Sequence, residues 1–243
     1  MISKIVFEII VFLSNVIQCI TGFAGTVLAM PFSVMLVGYE TAKPILNILG
    51  IAASIGVLAA ERKSVNKKEL LKIIAVMFVG IIAGMYIVSF FTGNPSVLYK
   101  ILGAIVIIFA LVNGIKFLMK KESRELNGVF SCLILIAAGV VHGMFVCGGP
   151  LLVTYASMRL KDTKEFRATL SAVWIVLNTV ILFGDVRGGY FDGEVLTLTA
   201  VSLVVLIGAV LLGNLISKKL SKNVFLSLTY ILMLISGASL MVK

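Results

Sequence analysis

The sequence predicts an all-α, polytopic integral membrane protein built as two inverted repeats. Each repeat is a broken, V-shaped helical hairpin followed by three transmembrane helices. Three observations carry this expectation. The 243 residues are 60% hydrophobic and 13% charged, whereas a soluble domain has about 45–50% apolar and about 25% charged residues. Two apolar stretches, 2–38 and 126–158, are each interrupted by a Gly-rich break: Thr21-Gly22-Phe23-Ala24-Gly25-Thr26 and Cys147-Gly148-Gly149-Pro150. The basic residues, finally, gather in short loops between apolar runs. No ten-residue segments of alternating polarity occur, so an outer-membrane barrel is not indicated.

Six ordinary spans are readable at 44–60, 70–91, 97–118, 168–184, 194–216 and 223–242, each close to the roughly 20 residues that a crossing needs. The stretches 2–38 and 126–158 are different. As straight helices they would each be about 50 Å long at 1.5 Å per residue, against a hydrocarbon core of about 30 Å. Folding each one back at its break removes the excess length. Charge supports the same choice. If each long stretch returned to the side it came from, 16 of the 21 Lys and Arg residues would share one side. If each crossed once, the division would be 12 to 9. The positive-inside rule prefers the first arrangement. Both termini then lie outside, and loops 61–69, 116–125, 159–167 and 217–222 lie in the cytoplasm, in a plasma or inner membrane.

The halves match at an offset of 124 residues: Gly25 falls on Gly149, Leu28 on Leu152, Ser33 on Ser157 and Gly84 on Gly208. The expected organisation is therefore a first repeat at 1–119, a cytoplasmic linker at 120–125 and a second repeat at 126–243. An odd number of crossings per half makes the repeats inverted, as in many secondary transporters.

Broken helices are tolerated at membrane depth only where they are buried in protein or line a cavity. A short helix starting at each break would present unpaired N–H groups and about half a positive charge to that cavity. Such ends can bind an anion without a buried Lys or Arg. Glycine permits close approach and unusual dihedrals at the break, and Pro150 suits the first turn of a helix, where its missing N–H is not needed. His142, the single histidine, sits at membrane depth opposite Gln18 under the 124-residue offset. It is a candidate to donate to an oxyanion or to carry a proton. The expected substrate contacts are Gln18, Thr21, Gly22, Gly25, Thr26, Asn47, His142, Cys147, Gly148, Gly149, Pro150, Ser171, Trp174 and Asn178. Gly80, Gly84 and Gly208 are expected to serve helix packing instead. Glu8 is expected to reach the outer interface, and Glu61, Asp185, Asp192 and Glu194 to be solvated loop acids.

The order of a Gly-rich break, an apolar run with Pro31 and a second break His142-Gly143-x4-Gly148-Gly149-Pro150 resembles the sulfite exporter TauE/SafE family over essentially the whole chain. The first break here, Gly-Phe-Ala-Gly-Thr, is poorer in glycine than the Gly-Gly-Gly form of that family. The resemblance implies export or uptake of sulfite, sulfoacetate or other organosulfonates.

The function expected is secondary transport of a small anion by alternating access. The alternatives are an anion channel and a permease for a non-sulfur solute. The partners are the small anionic substrate and the lipid bilayer, with room for a coupling proton or ion and for a homodimer. Nucleic acid is not a partner, because the +10 charge is accounted for by the orientation of loops. Cys19, Cys132 and Cys147 form no CxxC or His/Cys cluster, so no disulfide framework, metal or cofactor is expected. With no nucleophile–base pair and no Walker motif, an enzyme is not expected.

Overall fold

A computed structural model describes residues 2–21, 25–91, 94–119, 127–160, 162–217 and 222–242. The predicted linker at 120–125 and Gly22 lie outside them. The described residues form ten α-helices and one 3-10 turn. In order these are α1 (Ile2–Thr21), α2 (Gly25–Val37), α3 (Tyr39–Glu61), the turn Arg62–Ser64, α4 (Lys67–Ser89), α5 (Pro95–Leu118), α6 (Gly128–Phe145), α7 (Gly149–Arg159), α8 (Thr163–Arg187), α9 (Gly193–Ser217) and α10 (Lys222–Val242). Both long apolar stretches break where expected. Among the described residues seven helices are long and apolar enough to cross a membrane: α1, α3, α4, α5, α6, α8 and α9. In α10 the apolar part is Leu226–Val242. With 13 and 11 residues, α2 and α7 reach only about 20 and 17 Å and cannot span the core.

Two helices start earlier than expected: α8 at Thr163, not near residue 168, and α3. The third helix begins at Tyr39, not near residue 44, and carries Pro44 in its second turn. The reason lies at Gly38, whose φ of 84° is left-handed and needs no Cβ. Its N–H caps Val34 O at 3.2 Å, and its carbonyl accepts from Ala42 N at 3.0 Å. One residue therefore ends α2 and starts α3.

The chain packs as two compact units, each containing helices from both halves of the sequence. One comprises Met1–Leu46, Phe90–Glu122 and Asp192–Lys243, the other Asn47–Ser89 and Ser123–Phe191. In the first unit α1 packs along α9, and α5 along α10; in the second α4 packs along α6 and α8. The directions of these pairs test the folding-back. Asn66 meets Glu165 and Thr169, and Met85 lies against Gly184, so α4 and α8 run parallel. Gly103 faces Gly237 and Phe117 faces Tyr230, so α5 and α10 run antiparallel. A single crossing by residues 126–158 would reverse both relations. Lys4 pairs with Glu194, Glu8 with Ser202 and Cys19 with Gly213, which makes α1 and α9 parallel. Folding-back of 2–38 gives that direction, and a single crossing does not.

The α4–α6 contact is made backbone to backbone. A Cβ on Gly80 would lie 2.9 Å from Gly139 Cα and from Val140 N, and one on Gly84 would lie 3.1 Å from Met144 N. On the facing helix, a Cβ on Gly143 would lie 2.9 Å from Ile81 Cα. Small residues let membrane helices come this close, where dispersion and not the hydrophobic effect drives association. Gly208 is different, because its nearest neighbour is the Phe12 ring at an ordinary 3.6 Å. The close approach of α9 to α1 is at Gly213 instead, where a Cβ would lie 2.6 Å from Cys19 Cβ. Gly80→Val is therefore expected to destabilise the protein by about 1–3 kcal/mol through overpacking. Gly208→Ala should be close to neutral. Thermal unfolding of the two variants in detergent checks the contrast.

The outward surface is apolar. On α9, Val204, Ile207, Leu211 and Leu215 are all exposed at helical spacing, and in a membrane this face meets lipid. One acid gains an unforeseen partner and another departs from expectation. Glu8 is held by α9, where the wholly buried Ser202 donates to its carboxylate at 2.8 Å. Asp185, expected in a solvated loop, is buried in the last turn of α8, because that helix continues to Arg187 before the chain turns.

Candidate functional site

The second break is built residue by residue within the second unit. After Phe145 the chain enters the left-handed region at Val146, with φ 56° and ψ 24°, and Val146 N donates to His142 O at 2.7 Å. A β-branched residue there is a conformational outlier, of the kind that costs on the order of 1–3 kcal/mol and clusters at functional sites. The unusual dihedral expected of a break glycine therefore falls on a valine. Gly148 has an ordinary φ of −68°. It must be glycine for another reason: a Cβ would strike the Ala138 carbonyl and lie 2.8 Å from His142 Cβ. α7 then starts at Gly149 with Pro150 in its first turn, and Leu152 N bonds to Gly148 O at 3.1 Å. Cys147, Gly149 and Pro150 are buried beside it.

From this helix start a directional polar chain runs to α8 and α3. Gly148 N donates to His142 Nδ1 at 3.4 Å. An acceptor Nδ1 leaves the proton of a neutral ring on Nε2, and Nε2 donates to Asn178 Oδ1 at 2.7 Å. Asn47 Nδ2 in turn donates to the Asn178 main-chain carbonyl at 3.0 Å. All three side chains are buried, and among the described residues Asn47 Oδ1 has no partner. The His142 ring lies against Trp174, one turn before Asn178, with centroids 4.7 Å apart. The structure thus brings together five of the predicted contacts: Asn47, His142, Gly148, Trp174 and Asn178. Ser171 is buried on α8 two turns before Asn178.

The first unit holds the other predicted residues. Gln18 lies directly over Gly25, the first residue of α2, where a Cβ would collide with the Gln18 carboxamide and lie 2.8 Å from its Cβ. Thr26 follows, half-buried. Thr21 ends α1. Gln18 and His142, which correspond under the 124-residue offset, therefore each sit against a glycine at the start of a short helix.

Two features were not read from the sequence. Gly50 makes room for Asn178: a Cβ there would lie 2.7 Å from Asn178 Nδ2. The far end of α7 is also clamped. Tyr155 donates its hydroxyl to Glu69 Oε2 at 2.7 Å, Lys72 lies 5.4 Å over the Tyr155 ring, and Asn66 Nδ2 donates to Glu165 Oε1 at 2.8 Å. Because α4 and α6 run side by side, this clamp fixes α7 as the returning arm of the hairpin. Among the described residues no group of three His, Cys, Asp or Glu could hold a metal ion.

A family model described as sulfite exporter TauE/SafE matches residues 8–240. The chain belongs to the sulfite exporter TauE/SafE family. The match takes in both breaks and every helix at least in part, so the fold-back hairpins and the polar chain lie inside the family's shared region. Membership makes the protein a multi-pass membrane transporter, in keeping with its seven candidate spans. No curated protein and no solved structure matches the chain.

Proposed function

We propose that this protein is a secondary transporter of sulfite or a related sulfur-containing anion, working by alternating access on an inverted-repeat architecture. The observation that carries the reading is the start of α7, where a helix N-terminus is joined through His142 to the buried amides of Asn178 and Asn47. The helix end supplies about half a positive charge, and broken helices at membrane depth are where transporters bind small anions. The substrate contacts proposed here are Asn47, Cys147, Gly148, Gly149, Pro150, Ser171, Trp174 and Asn178 at the second break, with His142 holding Asn178 in position. Gln18, Thr21, Gly22, Gly25 and Thr26 have the corresponding role at the first. The orientation proposed is the one from the charge count, with loops 61–69, 116–125, 159–167 and 217–222 in the cytoplasm.

The test is flux into proteoliposomes of sulfite, sulfate, thiosulfate, sulfoacetate and a simple carboxylate. Saturable exchange of a sulfur anion, without single-channel current, is the expected result. Transport of the carboxylate alone would overturn the substrate class, and unitary currents would overturn the secondary-transport mechanism.

A further inference from the structure

We infer that the site selects a singly protonated sulfur oxyanion, hydrogen sulfite in the case of sulfite, over its dianion. Asn178 reads the anionic oxygen and Asn47 reads the hydroxyl. The inference rests on the anion-transport reading above and specifies the form of substrate it acts on.

Hydrogen-bond direction orients both amides. Gly148 N–H can only donate, so His142 Nδ1 must accept and Nε2 must donate. A donating Nε2 requires Asn178 to present Oδ1 to it, which turns Asn178 Nδ2 away from His142. Among the described residues that Nδ2 has no hydrogen-bond partner, although Asn178 is only 2% exposed. Asn47 is fixed in the same way. The Asn178 carbonyl accepts from it, so Asn47 must turn Nδ2 there. Among the described residues its Oδ1 is left without a partner, on a residue that is 0% exposed. Asn178 Nδ2 lies beside Gly50, one turn along α3 from Asn47. The α3–α8 contact therefore offers a donor, Asn178 Nδ2, and an unpartnered acceptor, Asn47 Oδ1, and neither amide can flip without breaking the bond that orients it. A buried polar atom without a hydrogen bond is costly, and a ligand with both an acceptor oxygen and an O–H gives each amide a partner.

Charge points the same way. Residues 47–60 of α3, 73–89 of α4, all of α6, 149–158 of α7 and 168–184 of α8 contain no Asp, Glu, Lys or Arg. The titratable groups on these segments are His142, Cys132, Tyr86 and Tyr155, and Cys147 lies between α6 and α7. A site whose positive potential comes from helix ends, each worth about half a charge, matches one negative charge better than two.

The experiment is equilibrium exchange in proteoliposomes at equal internal and external pH from 5.5 to 8. Sulfite is the titrating substrate, and methanesulfonate is a monoanion with no proton to donate. In the wild type the ratio of sulfite to methanesulfonate exchange should fall as pH rises, following the hydrogen sulfite fraction. Asn47→Ala should lower that ratio at pH 5.5 by roughly tenfold, the equivalent of one such hydrogen bond, while methanesulfonate exchange persists. Asn178→Asp keeps an oxygen for His142 but replaces the free donor with an acceptor, and should depress exchange of both anions. Size-exclusion profiles in detergent establish that each variant is folded. A wild-type ratio independent of pH, with both anions exchanged, overturns the inference and leaves the transport reading standing. Exchange of neither anion overturns that reading and the inference with it.

Discussion

Replacing Gly148 with valine is expected to abolish anion flux, by far more than tenfold, in a protein that still inserts and folds. The position has no room for a side chain. A Cβ would strike the Ala138 carbonyl, which is backbone and cannot give way, and would press on His142 Cβ at 2.8 Å. Relief requires the start of α7 to move away from α6. That movement pulls Gly148 N–H from His142 Nδ1, and the ring that orients Asn178 loses its anchor. Overpacking of this kind costs about 1–3 kcal/mol, less than the stability of an ordinary fold, so the loss should appear in transport before it appears in folding. Gly208→Ala is the matched control, since the Phe12 ring stands 3.6 Å away. Sulfite exchange in proteoliposomes, read beside a detergent melting curve, separates the two effects. Wild-type flux from Gly148→Val would mean that the α7 start is not part of the transport path.

The sequence made the breaks legible because membrane thickness is a hard limit. Stretches 2–38 and 126–158 are too long for one helix and too apolar for a loop. The parallel runs of α1 with α9 and of α4 with α8 agree with folding-back at both breaks. Helix packing through Gly80 and Gly84 was also readable, because small residues let membrane helices approach closely. What sequence could not supply was direction within the polar chain. Asn47 and Asn178 were visible as polar residues in apolar spans, but their hydrogen bond joins residues 131 positions apart. No periodicity predicts that contact. Val146 was invisible for a different reason: a valine in an apolar run reads as helix, and only the backbone shows its left-handed turn. Gly50 looked like any small residue until Asn178 was found beside it. Asp185 was misjudged because α8 runs one turn further than its apolar segment.

His142→Ala is expected to reduce flux by at least about tenfold, whereas His142→Gln should retain part of it with an unchanged pH profile for methanesulfonate. The neutral ring has one donor and one acceptor, and the polar chain uses both, one for Gly148 N–H and one for Asn178 Oδ1. In this arrangement it is a positioning residue that transmits the geometry of the α7 start to the Asn178 amide. Alanine leaves a buried donor and a buried acceptor unmatched, at about 1–3 kcal/mol each where water cannot reach them. It also removes the ring that packs on Trp174 at 4.7 Å. Glutamine has a donor and an acceptor of its own and no proton to gain or lose near neutral pH. It should restore part of the orientation while removing any titration at this position. Methanesulfonate is the informative substrate because it does not itself titrate, so any pH dependence of its exchange belongs to the protein. If His142→Gln flattens a pH dependence that the wild type shows with methanesulfonate, His142 carries a proton during transport and the positioning role fails. If His142→Ala and His142→Gln both exchange at the wild-type rate from pH 5.5 to 8, neither role holds, and Asn178 must be oriented from the α3 side by Asn47 alone.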